Sequence, residues 1–188
     1  MVKKRNILKD CRRGLCRHLI AILFFTVLTN CGEKKTDEKL EQASDIKTEV
    51  VSDSVGHKVG DGVAYATICI ESPVGIPSLC LSNFAVWLST VLEREMPSDS
   101  DPIKALERAW ALTAAANNNR SYLNNRSDLE HDGVDEVYTR IDIRKQYENS
   151  DYITYMMETD TYTGGIHGGH SKVGYTFKKS DMSLFLNV

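Results

Sequence analysis

The chain has 188 residues, 41% of them hydrophobic and 26% charged, with 23 Lys and Arg against 26 Asp and Glu and a formal charge of −3. Its cations crowd at one end: residues 1–30 hold seven Lys and Arg and one acid, so without them the formal charge falls to −9. A chain that acidic argues against nucleic acid as a partner and against peripheral attachment to anionic lipid, because both select a basic face.

Lys3, Lys4, Arg5, Lys9, Arg12, Arg13 and Arg17 precede the apolar run LIAILFFTVL, which is ten residues long, from Leu19 to Leu28. A membrane-spanning helix needs about 20. A basic flank before a short apolar core predicts an export signal over residues 1–30. The run ends LTNCG, which resembles a bacterial lipobox, with Leu28 three residues ahead of Cys31. Asn30 departs from the small residue usual before that cysteine. The resemblance implies that Cys31 carries a diacylglyceryl group and an acylated amine, and two or more acyl chains anchor stably. The membrane is then a partner through lipidated Cys31. Gly32 is not the aspartate that retains lipoproteins in the inner membrane, so the expected location is the outer membrane, facing the periplasm or the cell surface.

Cys11 and Cys16 leave with the signal, and lipid consumes Cys31. Cys69 and Cys80 remain, separated by IESPVGIPSL, whose prolines and glycine let the chain fold back. In an oxidising periplasm they could form a disulfide; buried as thiols they would act as small hydrophobes. Residues 31–62 are polar and lack aromatics, so they predict a flexible tether, with a transient helix over 36–47 and a solvated His57. Residues 63–188 then form one domain.

That domain opens with VAYATICIE, residues 63–71, a β-branched and aromatic run that predicts a strand. Leu81, Phe84, Ala85, Leu88 and Leu92 recur at helical spacing, with Trp87 and Val91 beside the stripe and Pro97 as a stop. Asp101 suits an N-cap and Pro102 the first helical position of a second helix, whose stripe is Ile103, Leu106, Trp110 and Ala114. NNN at 117–119 predicts its fraying or end. The period then becomes two. Val137, Thr139, Ile141 and Ile143 share one face and Arg140, Asp142 and Arg144 the other. After the turn ENSD, Ile153, Tyr155 and Met157 share a face, and Val173, Tyr175 and Phe177 alternate once more. The expected fold is α+β: two helices packed on an antiparallel sheet, in the order strand, helix, helix, three-stranded meander.

Between the last two strands lies DTYTGGIHGGHSKVGYTF, residues 160–177. His167 and His170, with His131 or Asp132 brought in by the fold, could hold a metal, but a glycine loop fixes no ligand geometry and neither HExxH nor paired CxxC appears. GGIHGG is not a phosphate loop, and Ser171 has no nucleophile elbow around it. Glycines that permit positive φ at a strand reconnection explain Gly164 and Gly165 on structural grounds alone.

The stretch YITYMMETDTYTGGIHGGHSKVGYTFKKSD resembles the extracellular domain shared by RsiV-type lysozyme-sensing anti-sigma factors and PdaC-type peptidoglycan deacetylases, which carries a YTGGAHG motif. Tyr162, Thr163, Gly164, Gly165, His167 and Gly168 match that run, and Ile166 stands where alanine is usual. The resemblance implies a non-catalytic envelope domain, without a cofactor, that binds cell-wall glycan (peptidoglycan) or a lysozyme-like protein. It makes Tyr162, Thr163, Gly164, Gly165, His167 and His170 candidate ligand-binding residues, with tyrosine as a sugar-stacking face. No sigma-binding segment or true span precedes it, so an anti-sigma role is not expected. Relatives continue into a second half, and the tail Leu184, Phe185 and Leu186 is expected to end a truncated domain without a partner. A metal-dependent enzyme using His167 and His170, and a structural lipoprotein without a small ligand, remain the alternatives.

Overall fold

The computed structural model describes residues 45–125, 127, 129, 133, 135–164 and 167–185. The export signal, Cys31 and the tether as far as residue 44 lie outside the described residues. Among the described residues no helix is long and apolar enough to cross a membrane.

Seven elements follow in chain order: β1 (Lys47–Val59), β2 (Gly62–Val74), α1 (Ser78–Val91), α2 (Pro102–Asn124), β3 (Glu136–Glu148), β4 (Tyr152–Tyr162) and β5 (Gly169–Lys178). The strands form one sheet in the order β1-β2-β3-β4-β5. The α+β class is as expected, but the sheet is mixed rather than antiparallel, because β2 and β3 pair in parallel. Both helices lie between those two strands and return the chain to the end where β2 began, so β3 must set off in the same direction.

β1 is the larger correction. Residues 47–59 belong to the sheet and not to a tether, paired with β2 from Lys47↔Val74 to Val59↔Gly62. Gly60, at φ 59°, and Asp61 make the two-residue turn between them. Its apolar signal is thin: Val59 is buried and Val55 packs against the core, but Val51 and Asp53 are only half-buried and Val50 is 63% exposed. Main-chain pairing with β2, together with α2 packed over its inward face, holds it. His57 is exposed.

The helices cover one face of the sheet. In α2, Asp101 caps the N-terminus by accepting from Lys104 N at 3.1 Å, with Pro102 in the first turn. Ile103, Leu106 and Trp110 are buried as the periodicity predicts, and Ala111, Ala115 and Tyr122 join them. Helix α1 buries Phe84, Ala85, Trp87 and Leu88. It ends at Val91, ahead of Pro97, the stop expected from the sequence. Glu93 turns left-handed at φ 53°, and Arg94 N donates to Ser89 O at 2.9 Å, closing the last turn. Phe84 and Trp87 interlock with Tyr155 of β4 and Phe177 of β5, at centroid distances of 5.0 to 6.4 Å.

The asparagine run does not end α2, which continues to Asn124. Asn118 points inward, 6% exposed; its Nδ2 donates to Tyr65 O at 2.7 Å, and its Oδ1 lies 3.2 Å from Thr139 Oγ1, which donates. The side chain thus ties the helix to β2 and β3 instead of competing with its own backbone. Asn118→Ala should lower stability by about 1–3 kcal/mol, although alanine is the better helix former, because it strands two buried partners. Chemical denaturation midpoints check this.

Cys69 and Cys80 are not joined. Cys69 alternates with the core residues Ile68 and Ile70 and so faces away from the helices, whereas Cys80 on α1 lies inside the core and its Sγ approaches Ser180 O at 3.7 Å. The sheet itself separates the two thiols.

The tail also finds partners. Leu184 bridges Phe177, Lys178 N donates to Ser183 O at 2.9 Å, and Phe185 N donates to Thr176 O at 2.7 Å. Phe185 packs edge-on to Tyr152 at 5.1 Å. Leu186 lies outside the described residues.

Candidate functional site

The glycine loop joins β4 to β5 at one end of the sheet. Tyr162 closes β4, Thr163 is exposed, and Gly164 adopts φ 98°. A Cβ on Gly164 would fall 2.1 Å from Leu129 Cδ2, in a side chain that is 5% exposed. Gly168 has Thr161 O at 2.7 Å from the same virtual position, and Gly169 has Thr161 Oγ1 at 2.6 Å. These glycines therefore serve the backbone: the loop closes tightly on β4 and on the segment after α2. Gly164→Ala should cost about 1–3 kcal/mol from left-handed strain and overpacking, a loss read as a lower melting temperature. Gly165 and Ile166 lie outside the described residues.

His167 is exposed. His170, on β5, places Nδ1 2.6 Å from Asp160 Oδ1 on β4, across the register pair Asp160↔His170. Among the described residues no group of three or more His, Cys, Asp and Glu could hold a metal; His131 and Asp132 lie outside them. His167 and His170 therefore acquire no further ligand within the described structure.

Tyr162 leads to residues that the loop motif does not include. Its register partner is Tyr138 on β3, and Tyr138 pairs with Tyr65 on β2. The rings follow the register, with centroids 5.9 Å apart for Tyr138–Tyr162 and 5.4 Å for Tyr65–Tyr138. This row crosses three strands on the face opposite the helices, because each tyrosine alternates with an inward residue such as Ala64, Ala66 or Val137. The Arg140 guanidinium carbon lies 4.4 Å from the Tyr138 centroid and 5.5 Å from that of Tyr65, and Arg140 also donates to the Tyr65 hydroxyl. On its other side that hydroxyl reaches Glu136 Oε2 at 3.4 Å. Burial raises the Tyr65 phenol above its ordinary value against the pull of Arg140, so it stays neutral and can both donate and accept. The next rows carry cross-strand and same-strand ion pairs: Lys172 with Glu158, and Arg144 with both oxygens of Asp142 at 2.6 and 2.7 Å.

The loop motif marks none of Tyr65, Tyr138, Arg140, Glu136 and Asp160 as a site residue, although alternation already places Arg140 on the outward face. A signal was present: in strands whose inward positions are apolar, tyrosines at the outward positions are unexpected on a solvated face. Which of them meet depends on register, and that is not a local property.

No family model and no curated protein matches the sequence. A solved structure of a DUF3298 family member from Bacteroides fragilis is similar to 77% of this chain, at 13% identity and a TM-score of 0.53, and the match covers 60% of that protein. A DUF3298 family protein from Pseudomonas aeruginosa matches 76% of this chain at 10% identity and a TM-score of 0.47, over 56% of its own length. This chain thus spans less than two thirds of either neighbour. At such identity the first likeness shows a shared fold. The structural neighbours are members of a domain family of unknown function.

Proposed function

We propose that the chain is a lipid-anchored module of the cell envelope, held by acylated Cys31 at the outer membrane, that binds cell-wall glycan or a lysozyme-like protein without transforming it. The observation that carries this reading is Tyr162. It sits where the glycine loop meets a row of tyrosines on the sheet face opposite the two described helices. Half-exposed aromatic rings among planar donors and acceptors are what binding surfaces use. The resemblance of the Tyr162–His170 run to envelope-binding domains supports the same reading. The glycines shape the loop, and Tyr162, Thr163, His167 and His170 supply its polar and aromatic contacts.

The test is a pull-down of the full chain, purified in detergent, on peptidoglycan sacculi and on immobilised lysozyme. A Tyr162→Ala, His167→Ala double variant runs beside it. Retention of the wild type on either matrix, and its loss in a variant with unchanged circular dichroism, is the expected result. A folded wild type that is retained on neither sinks the proposal and leaves a structural lipoprotein.

A further inference from the structure

We infer that the ligand surface is the outer face of the sheet, centred on Tyr65, Tyr138 and Arg140, and that its ligand is a neutral, hydroxyl-rich glycan chain lying across the strands. This rests on the binding-module reading above and narrows it to one ligand class and one face.

Three features lead there. The first is shape. The tyrosine row is bounded by glycine at both ends: Gly56 is the register partner of Tyr65 on β1, and the virtual Cβ of Gly168 lies 3.8 Å from Tyr162 Cδ2. Both glycines are exposed. Neither glycine adds a side chain to the row, so among the described residues the ridge runs out to β1 and β5 without a flanking wall. That suits a polymer running past the edge and not a small molecule that needs an enclosed pocket.

The second is hydrogen-bonding chemistry. Around the Tyr65 hydroxyl stand a guanidinium that only donates and a carboxylate that only accepts, and one strand further on lies the Asp160–His170 pair. Alternating planar donors and acceptors beside aromatic rings match vicinal hydroxyls, each of which donates and accepts. Stacking on Tyr138 fixes the Arg140 fork in place, so little side-chain entropy is lost on binding.

The third is charge. Near the ridge Lys172 pairs with Glu158 and Arg144 with Asp142, Glu136 meets Arg140 through the shared Tyr65 hydroxyl, and Asp160 is hydrogen-bonded to His170 Nδ1. Each of these three cations thus stands beside a carboxylate. A polyanion gains no steering from such a face, whereas an uncharged glycan loses nothing.

The experiment titrates the detergent-purified full chain with β-1,4-linked N-acetylglucosamine oligomers by calorimetry, and repeats the sacculus and lysozyme pull-downs with Tyr138→Ala, Tyr138→Phe and Arg140→Gln. The oligomers should bind the wild type. Tyr138→Ala should weaken that binding tenfold or more and Arg140→Gln several-fold, while Tyr138→Phe, which keeps the ring, stays close to wild type. If Tyr138→Ala does not fold, Arg140→Gln at its exposed position decides. Sacculus binding that both variants leave intact, or retention on lysozyme alone, overturns this inference and spares the binding module. A wild type retained on neither matrix and binding no oligomer overturns both.

Discussion

Glu107→Gln is expected to stabilise the protein at pH 8 by about 2–3 kcal/mol and to leave it nearly unchanged at pH 4.5. Glu107 lies on α2 inside the apolar stripe, 3% exposed, and its Oε1 has no hydrogen-bond partner. Burial, reinforced by the Asp53 carboxylate on β1, pushes its carboxyl from 4.5 up to about 7; Lys104 and Arg108 pull the other way and Asp101 adds to the rise. In the unfolded chain the group ionises near its ordinary value. Between pH 4.5 and 7 the native state therefore holds a proton that the unfolded state has released, and stability falls as pH rises through that window. Above pH 7 both states are charged, and the penalty is complete. Glutamine keeps the shape and removes the titration. Urea midpoints of wild type and variant should converge at pH 4.5 and separate progressively to pH 8. Parallel curves across that range would show that Glu107 is already charged in the fold.

Phe84→Ala is expected to cost about 3–5 kcal/mol, enough to unfold much of a marginally stable domain at 37 °C. Phe84 is fully buried, and its ring touches three others: Trp87 at 5.1 Å, Tyr155 at 5.1 Å and Phe177 at 6.0 Å. Helix α1 is held to β4 and β5 chiefly through this cluster, since the other helix packs over β1, β2 and β3. Alanine would leave a cavity between rigid rings that cannot collapse onto it. The Tyr65–Tyr138–Tyr162 row lies on the opposite face, so a variant that remains folded at low temperature should still bind whatever the wild type binds. Thermal melts read the first effect, and pull-down at 4 °C reads the second.

Glu107 itself shows how sequence and structure divide the information. Its position four residues after Ile103 and three before Trp110 puts it on the buried stripe by helical geometry alone, so its burial was readable. The height of its pKa was not, because Asp53 belongs to a strand that the local pattern conceals.

What the sequence by itself determined is local and periodic. The stripe Phe84, Ala85, Leu88 and Leu92 makes α1, and Asp101–Pro102 with Ile103, Leu106 and Trp110 makes α2. The turn after Glu148 separates β3 from β4, and alternation sends Val137, Ile141 and Ile143 inward and Arg140, Asp142 and Arg144 outward. Each depends on residues within one or two turns or one strand. What only the tertiary structure decided is non-local. β1 exists because β2 offers it a complete ladder of main-chain partners and α2 packs over it, and neither is visible in its own residues. The asparagine run stays helical because Asn118 reaches the Tyr65 carbonyl and Thr139. The sheet separates Cys69 from Cys80. The candidate surface exists because register sets Tyr65, Tyr138 and Tyr162 side by side, and a slip of one residue in any strand would turn its tyrosine into the core.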